Sequence, residues 1–359
     1  MYRFWILLVV GLVGCGDGPE TPVTCEDEAL ERGDRWFGLD LLDPPANGDF
    51  AQNTLKGQAL GVEFTGLHLP WTAIEDSPGS YRDPDGVLNT LDSYLNQQGW
   101  RLTLTLRPID LTGKTVPADL QAVRFNDPEF ISRFITVLDF ALSQVDHRLL
   151  TSLQIGNEID GYDTSAELPT FWADYAMFLA AVREHVHDHY LGLRVGFTGT
   201  LAGMLNFEGS VFEDLAEQVD VVGVTYYPID GSFKAHAPES VHDDLANLVA
   251  KFPDNTIFLQ EVGYPTGKRN ASSQTQQAAF ICACFQAWDD HAEQIELMNW
   301  VRLMDRTEQG AEDLAGPYGL SDRNFLSFLR TLGLREVEGA GTDKVGFVTL
   351  QEELQRRGW

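Results

Sequence analysis

Leu153-Gln154-Ile155-Gly156-Asn157-Glu158 is an apolar run that ends in a carboxylate, and so is Ile257-Phe258-Leu259-Gln260-Glu261. Each reads as a short strand buried on both faces, because a parallel strand covered by helices has no polar side to show. A carboxylate at the end of such a strand is costly to desolvate unless it is satisfied or used. Working outward, the same kind of run recurs at Arg35–Leu42, Gly61–Leu69, Arg101–Arg107, Leu150–Gly156, Arg194–Thr198, Val219–Tyr226, Thr256–Glu261 and Ile295–Val301. Amphipathic stretches lie between them. Asp127–Val145 opens with Asp-Pro, an N-cap followed by proline at the first helical position. Pro169–Tyr190, Pro238–Lys251 and Gln274–Ala292 follow, and Thr349–Arg357 closes the chain. Thr349 with Glu352 is expected to form a capping box there.

Strand and helix alternate eight times without an internal repeat. That pattern predicts an α/β fold, a single (β/α)₈ barrel, with an open doubly wound sheet as the alternative. No GxGxxG follows the first strand, so a dinucleotide site has no support. Asp305–Thr342 is expected to be a long loop on the face where the strands end, with a small helix at Asn324–Leu334. In a barrel, strands four and seven end almost across the mouth from each other. Their carboxylates, Glu158 and Glu261, would then face one another over a cleft, as glycoside hydrolysis requires.

The 359 residues suit one large barrel, and 43% hydrophobic residues suffice for a core. With 54 acidic against 25 basic residues, the formal net charge is −29. Such a surface repels nucleic acid and strongly anionic polymers, or serves solubility alone. Arg3 followed by the apolar run Phe4–Gly14 is too short to span a bilayer and reads as a signal segment. Its end, Leu12-Val13-Gly14-Cys15, resembles a bacterial lipobox. That resemblance implies cleavage before Cys15 and lipidation of Cys15, with an ordinary signal peptide as the alternative. The expected organisation is a signal peptide at 1–15, a tether at 16–33 and the barrel at 34–359. The membrane would be met through the lipid anchor only, in a bacterial cell envelope and outside the cytoplasm, at the outer membrane or cell surface. Cys282 and Cys284 point to different sides of one helix, and Cys25 can pair with either. His185 and His189 share a helical face, but no HExxH completes a zinc site.

Several of these segments, in order, resemble clan A of the glycoside hydrolases, retaining enzymes built on (β/α)₈ barrels. The resemblance rests on Asn157-Glu158 after strand four, Glu261 after strand seven, and Leu69-Pro70-Trp71-Thr72-Ala73-Ile74-Glu75 with Pro78-Gly79-Ser80-Tyr81 after strand two. Val222-Gly223-Val224-Thr225-Tyr226-Tyr227-Pro228 is similar to the strand-six segment of arabinogalactan endo-galactanases, and Asn299-Trp300 to a strand-eight Trp that floors a sugar subsite. The resemblance implies Glu158 as acid/base and Glu261 as nucleophile. It implies Asn157 on a sugar hydroxyl, Tyr227 or else Tyr226 on Glu261, and Trp300 stacked on a sugar. Trp71 reads equally as packing or subsite. Where many members of the clan carry an Arg near the end of strand two, this chain has Thr65, and Arg107 is expected to supply the charge. His68 and Arg107 are candidates to line the cleft. The partner is a carbohydrate, and the chemistry needs no cofactor or metal. A transglycosylase with the same glutamates, or a catalytically silent carbohydrate-binding lipoprotein, are the alternatives.

Overall fold

The computed structural model describes residues 23–25, 28–41, 50–162, 170–337 and 341–359. The signal segment and Cys15 lie outside them. Eight parallel strands form the barrel: β1 (Trp36–Leu39), β2 (Phe64–Pro70), β3 (Arg101–Asp110), β4 (Leu150–Asn157), β5 (Val195–Thr200), β6 (Val221–Tyr226), β7 (Thr256–Val262) and β8 (Ile295–Trp300). Each pairs with its sequence neighbours. β8 returns to β1, where Gly38 sits opposite Asn299, and the ring closes. The open-sheet alternative is thereby excluded.

Besides the short helices Trp71–Ile74 and Leu201–Asn206, the described residues form α1 (Phe50–Ala59), α2 (Val87–Gln98), α3 (Pro128–Gln144), α4 (Phe171–His189), α5 (Val211–Ala216), α6 (Ser240–Lys251), α7 (Gln274–Asp290), α8 (Glu308–Ala315), α9 (Arg323–Thr331) and α10 (Val345–Arg357). Four of them, α3, α7, α8 and α9, start at side-chain caps that satisfy amides the first turn leaves free. Asp127 accepts from the Glu129 amide, Ser273 from Gln276, Thr307 from Gly310, and Asp322 from Asn324 and Phe325. Among the described residues, no helix is long and apolar enough to cross a membrane.

Two expectations fail here. The capping box at Thr349 does not form, because α10 begins at Val345 and Thr349 is buried inside it. The Val345 amide that opens the helix donates to Gln274 Oε1, and the N-cap is Lys344, which gives no side-chain cap. The Lys344 Nζ is fixed at 2.7 Å from Asp305 Oδ1, and it also donates to Thr266 Oγ1 and the Gly333 carbonyl. The segment after β8 is a helical excursion, with α8 as well as α9, rather than a loop with one helix.

Inside the barrel the side chains form tiers. Phe64, Val221, Phe258 and Leu297 plug the lower end with Trp36. Above them comes a polar tier, where Gln154 donates to Ser152 Oγ and accepts from Thr198 Oγ1. The site lies above that, at the C-terminal ends of the strands. Chain ends converge on α7: Arg35 and Arg357 both pair with Asp289, and Trp359 stacks on Trp288. Cys25 is disulfide-bonded to Cys282 of α7, so the last part of the expected tether lies against the barrel. Cys284 is free and buried.

Candidate active site

β4 ends in a contorted turn. Gly156 has φ +81°, and a Cβ there would meet Ile159 Cγ2 at 2.6 Å and the Tyr175 hydroxyl at 2.7 Å, so only glycine fits. Glu158 itself has φ 47°, a left-handed conformation a side-chain-bearing residue adopts only when its surroundings impose it. The turn is locked just beyond by Asp160, which accepts from the Thr200 amide and hydroxyl, both at 2.6 Å. Backbone strain here aims one carboxyl into the mouth.

β7 aims the other. Leu259 is in register with Val224 of β6 and Glu261 with Thr225, so Gln260 is an extra residue that bulges the strand. A bulge re-aims the side chain that follows it. Thr225 sits between the two acids: it is the register partner of Glu261, and its hydroxyl donates to Glu158 Oε1 at 2.7 Å.

The two carboxyls have unlike surroundings. Burial first, and then the nearby charge of Glu261, push the Glu158 carboxyl up to about 8, although the Thr225 hydrogen bond opposes this. Near neutral pH it therefore holds a proton. Glu261 Oε2 accepts a 2.6 Å hydrogen bond from the Tyr227 hydroxyl, and His68 Nε2 lies 3.8 Å from its Oε1. Burial and Glu261 hold the Tyr227 phenol well above its ordinary value, so it remains a donor.

Asn157 donates to Asp110 Oδ1 at 3.2 Å. Its own Oδ1 is buried without a hydrogen-bond partner among the described residues, as is Asn299 Oδ1. Both residues line the cavity. Arg107 pairs with Asp110 at 2.7 Å and faces the same cavity, so its charge is committed beside Asn157. Thr65 alternates with Phe64 and Gly66 and faces the helices. A cation that sequence reasoning missed, Arg302, is buried just past β8 and lines the cavity. The cavity measures about 1430 Å³.

Trp300 is a correction, and for Trp71 the packing reading holds. Trp71 is fully buried, donates to Glu75 Oε2 at 2.7 Å and packs edge-on against Phe130 and Phe134. Trp300 is 1% exposed and faces Phe280 of α7, because alternation along β8 turns Asn299 inward and Trp300 outward. Neither lines the cavity as a platform for sugar. Tyr226 is likewise turned outward; its hydroxyl donates to Asp244 of α6, and Tyr227 alone bonds Glu261. The aromatic side chains at the cavity are Tyr227, Phe233, Tyr318, Phe325 and Phe328 with an edge of Tyr226. The histidines of α4 are structural: His185 pairs with Asp139 and His187 with Asp220. Among the described residues, no cluster of His, Cys, Asp or Glu is placed to hold a metal ion.

No protein-family profile and no curated protein matches this sequence. Solved structures do match. A GH5_18 protein from Bifidobacterium longum subsp. infantis aligns with TM-score 0.64 at 16% identity, covering 89% of this chain and 78% of its own. The chain has the fold of glycoside hydrolase barrels. An exo-β-1,4-mannosidase from Opitutaceae bacterium strain TAV5 aligns with TM-score 0.66 at 16% identity, over 94% of this chain; the chain spans 62% of its length. A β-glucosidase from Exiguobacterium marinum aligns with TM-score 0.61 at 13% identity, over 91% of this chain and 99% of that one. In this chain Glu158 directly follows β4 and Glu261 lies next to the last residue of β7.

Proposed function

We propose that the protein is a retaining β-glycosidase working by double displacement. Glu158 protonates the leaving oxygen while Glu261 attacks the anomeric carbon and forms a glycosyl-enzyme; Glu158, now ionised, takes a proton from the water that releases the sugar. The observation that carries this reading is the division between the acids: one is held protonated by burial, and the other is aimed by a phenol that stays a donor. Asn157 and Asn299 offer acceptors to sugar hydroxyls, and His68 borders Glu261. The resemblance of the strand-six segment to endo-galactanases gives the sugar no firmer identity than a β-linked carbohydrate. The resemblance of Leu12-Val13-Gly14-Cys15 to a lipobox supports a lipid-anchored envelope protein.

The test is a panel of aryl β-glycosides and β-linked oligosaccharides with Glu158→Gln and Glu261→Gln beside the parent. The expected loss in each variant is roughly 10³-fold or more, ~4 kcal/mol of barrier. Product anomers read by NMR should show retention, and a 2-deoxy-2-fluoro glycoside should label Glu261 covalently. A parent that binds a glycan but cleaves none would hand the case to the silent binding protein. Inversion would refute the double displacement.

A further inference from the structure

The excursion between β8 and α10 is a packed element. Its base is pinned where Met304 bridges Arg335 and where Lys344 holds Asp305. Its inner face is an apolar cluster of Val301, Phe325, Phe328, Leu329 and Leu332, with Tyr227 and Phe233 packed against it. From the turn Gly316–Tyr318 between its helices, Tyr318 enters the cavity that also contains Glu158 and Glu261.

Tyr318 has crossed the mouth. It lines that cavity together with Arg107 of β3, Asn157 and Glu158 at the end of β4 and Glu261 on β7. In the strand ring β8 lies opposite β4, so a residue that leaves after β8 and arrives among these groups spans the opening. There Leu314, Tyr318 and Leu320 share the cavity wall with Leu111 and Thr112 of the β3 turn. Next to Glu158, on the β5 side, the lining is instead the short helix Leu201–Asn206. In the glycosidase reading the proton from Glu158 goes to the leaving oxygen, which assigns the leaving group to the β5 side and leaves the side under Tyr318 for the attacked sugar.

We propose that the excursion after β8 closes one end of the cleft, so that Tyr318 caps a single terminal sugar and the protein acts from chain ends. This rests on the glycosidase reading above. It departs from the open, chain-cutting cleft that a likeness to endo-galactanases implies. An aromatic ring over one face of the sugar, with apolar side chains beside it, suits the C–H face of a pyranose.

The experiment uses the full chain on matched substrates: 4-nitrophenyl β-monosides, the corresponding β-linked pentasaccharides, and the same pentasaccharides with the non-reducing end blocked as a 4,6-acetal. At the earliest time points the pentasaccharides should yield only monosaccharide and tetrasaccharide, and the blocked forms should survive. Tyr318→Ala should lower kcat/KM on the monosides about tenfold, chiefly through KM, and Tyr318→Phe should keep most of it. Disaccharide or trisaccharide as first products, or cleavage of the blocked forms, overturns the inference while leaving the glycosidase reading intact. A protein inert on the whole panel overturns that reading, and the inference with it.

Discussion

Replacing Glu158 by Gln should abolish activity yet stabilise the fold, and the gain should depend on pH. In the folded protein the Glu158 carboxyl sits at about 8 against an ordinary 4.5, chiefly through burial. Below about pH 4.5 the folded and unfolded chains are both protonated at this position, and the variant gains nothing. As pH rises, the unfolded chain ionises first while the folded one keeps its proton, so the parent loses stability relative to the variant until about pH 8. The full difference is at most ~5 kcal/mol, and solvent reaching the half-buried carboxyl reduces it to ~2–4 kcal/mol. The Gln side chain keeps the shape and can still accept from Thr225. Thermal unfolding of parent and variant between pH 4 and 9 measures it. The expected curves coincide near pH 4 and diverge upward, with the variant several degrees more stable at pH 8 to 9. A pH-independent difference, or a variant less stable at pH 9, would refute the argument that burial holds this acid protonated. Adding Glu261→Gln should shrink the gain, because the charge that helps to raise Glu158 is then gone.

Tyr227→Phe removes the 2.6 Å donor from Glu261; kcat should fall roughly 10- to 100-fold, the worth of a charge-assisted hydrogen bond at ~1.5–3 kcal/mol, with unfolding little changed. Gly156→Ala forces a Cβ into Ile159 and the Tyr175 hydroxyl at φ +81°; a loss of ~2 kcal/mol or more is expected, together with weakened activity because the turn carries Asn157 and Glu158. Full parental activity and melting temperature in that variant would contradict the strained-turn account. Cys25→Ser breaks the link to Cys282; it should lower stability by ~2–5 kcal/mol, and reductant should then shift the parent's melting temperature but not the variant's.

The strands were legible because burial on both faces writes itself as an unbroken apolar run, and a carboxylate at its end stands out. Glu158 and Glu261 stood out for that reason, whereas Asn157 and Tyr227 came only from the resemblance to clan A. What could not be read was orientation at the strand ends. A single alternation sends Trp300 toward α7 and Asn299 into the cavity, and the apolar string Ile295–Trp300 does not say which. The bulge at Gln260 and the left-handed backbone of Glu158 are settled by neighbouring strands and leave no local trace. Helix α8, with the sequence EQGAEDLA, is too polar to show a buried face on its own. It folds against an apolar cluster assembled from β8, α9 and the β6 turn. Tyr318 and Arg302 lie on or beside that excursion, and only the folded chain reveals that they reach the mouth. Thr349 misled because a valid capping pattern is inert once the helix has already started at Val345.

The bond between Cys25 and Cys282 also sets a mechanical path. If lipid holds the chain at Cys15, any pull on that anchor meets the sulfurs before it meets β1. This matters because β1 is a four-residue strand that touches β2 through a single register pair, Gly38 with Phe64. Tension applied there would unzip the barrel at its seam. Diverted into α7, the same tension is shared with α10 through Asp289 and Arg357. The leash is also short: ten residues at about 3.5 Å each give a reach of ~35 Å, so an anchored barrel would work within about its own width of the bilayer.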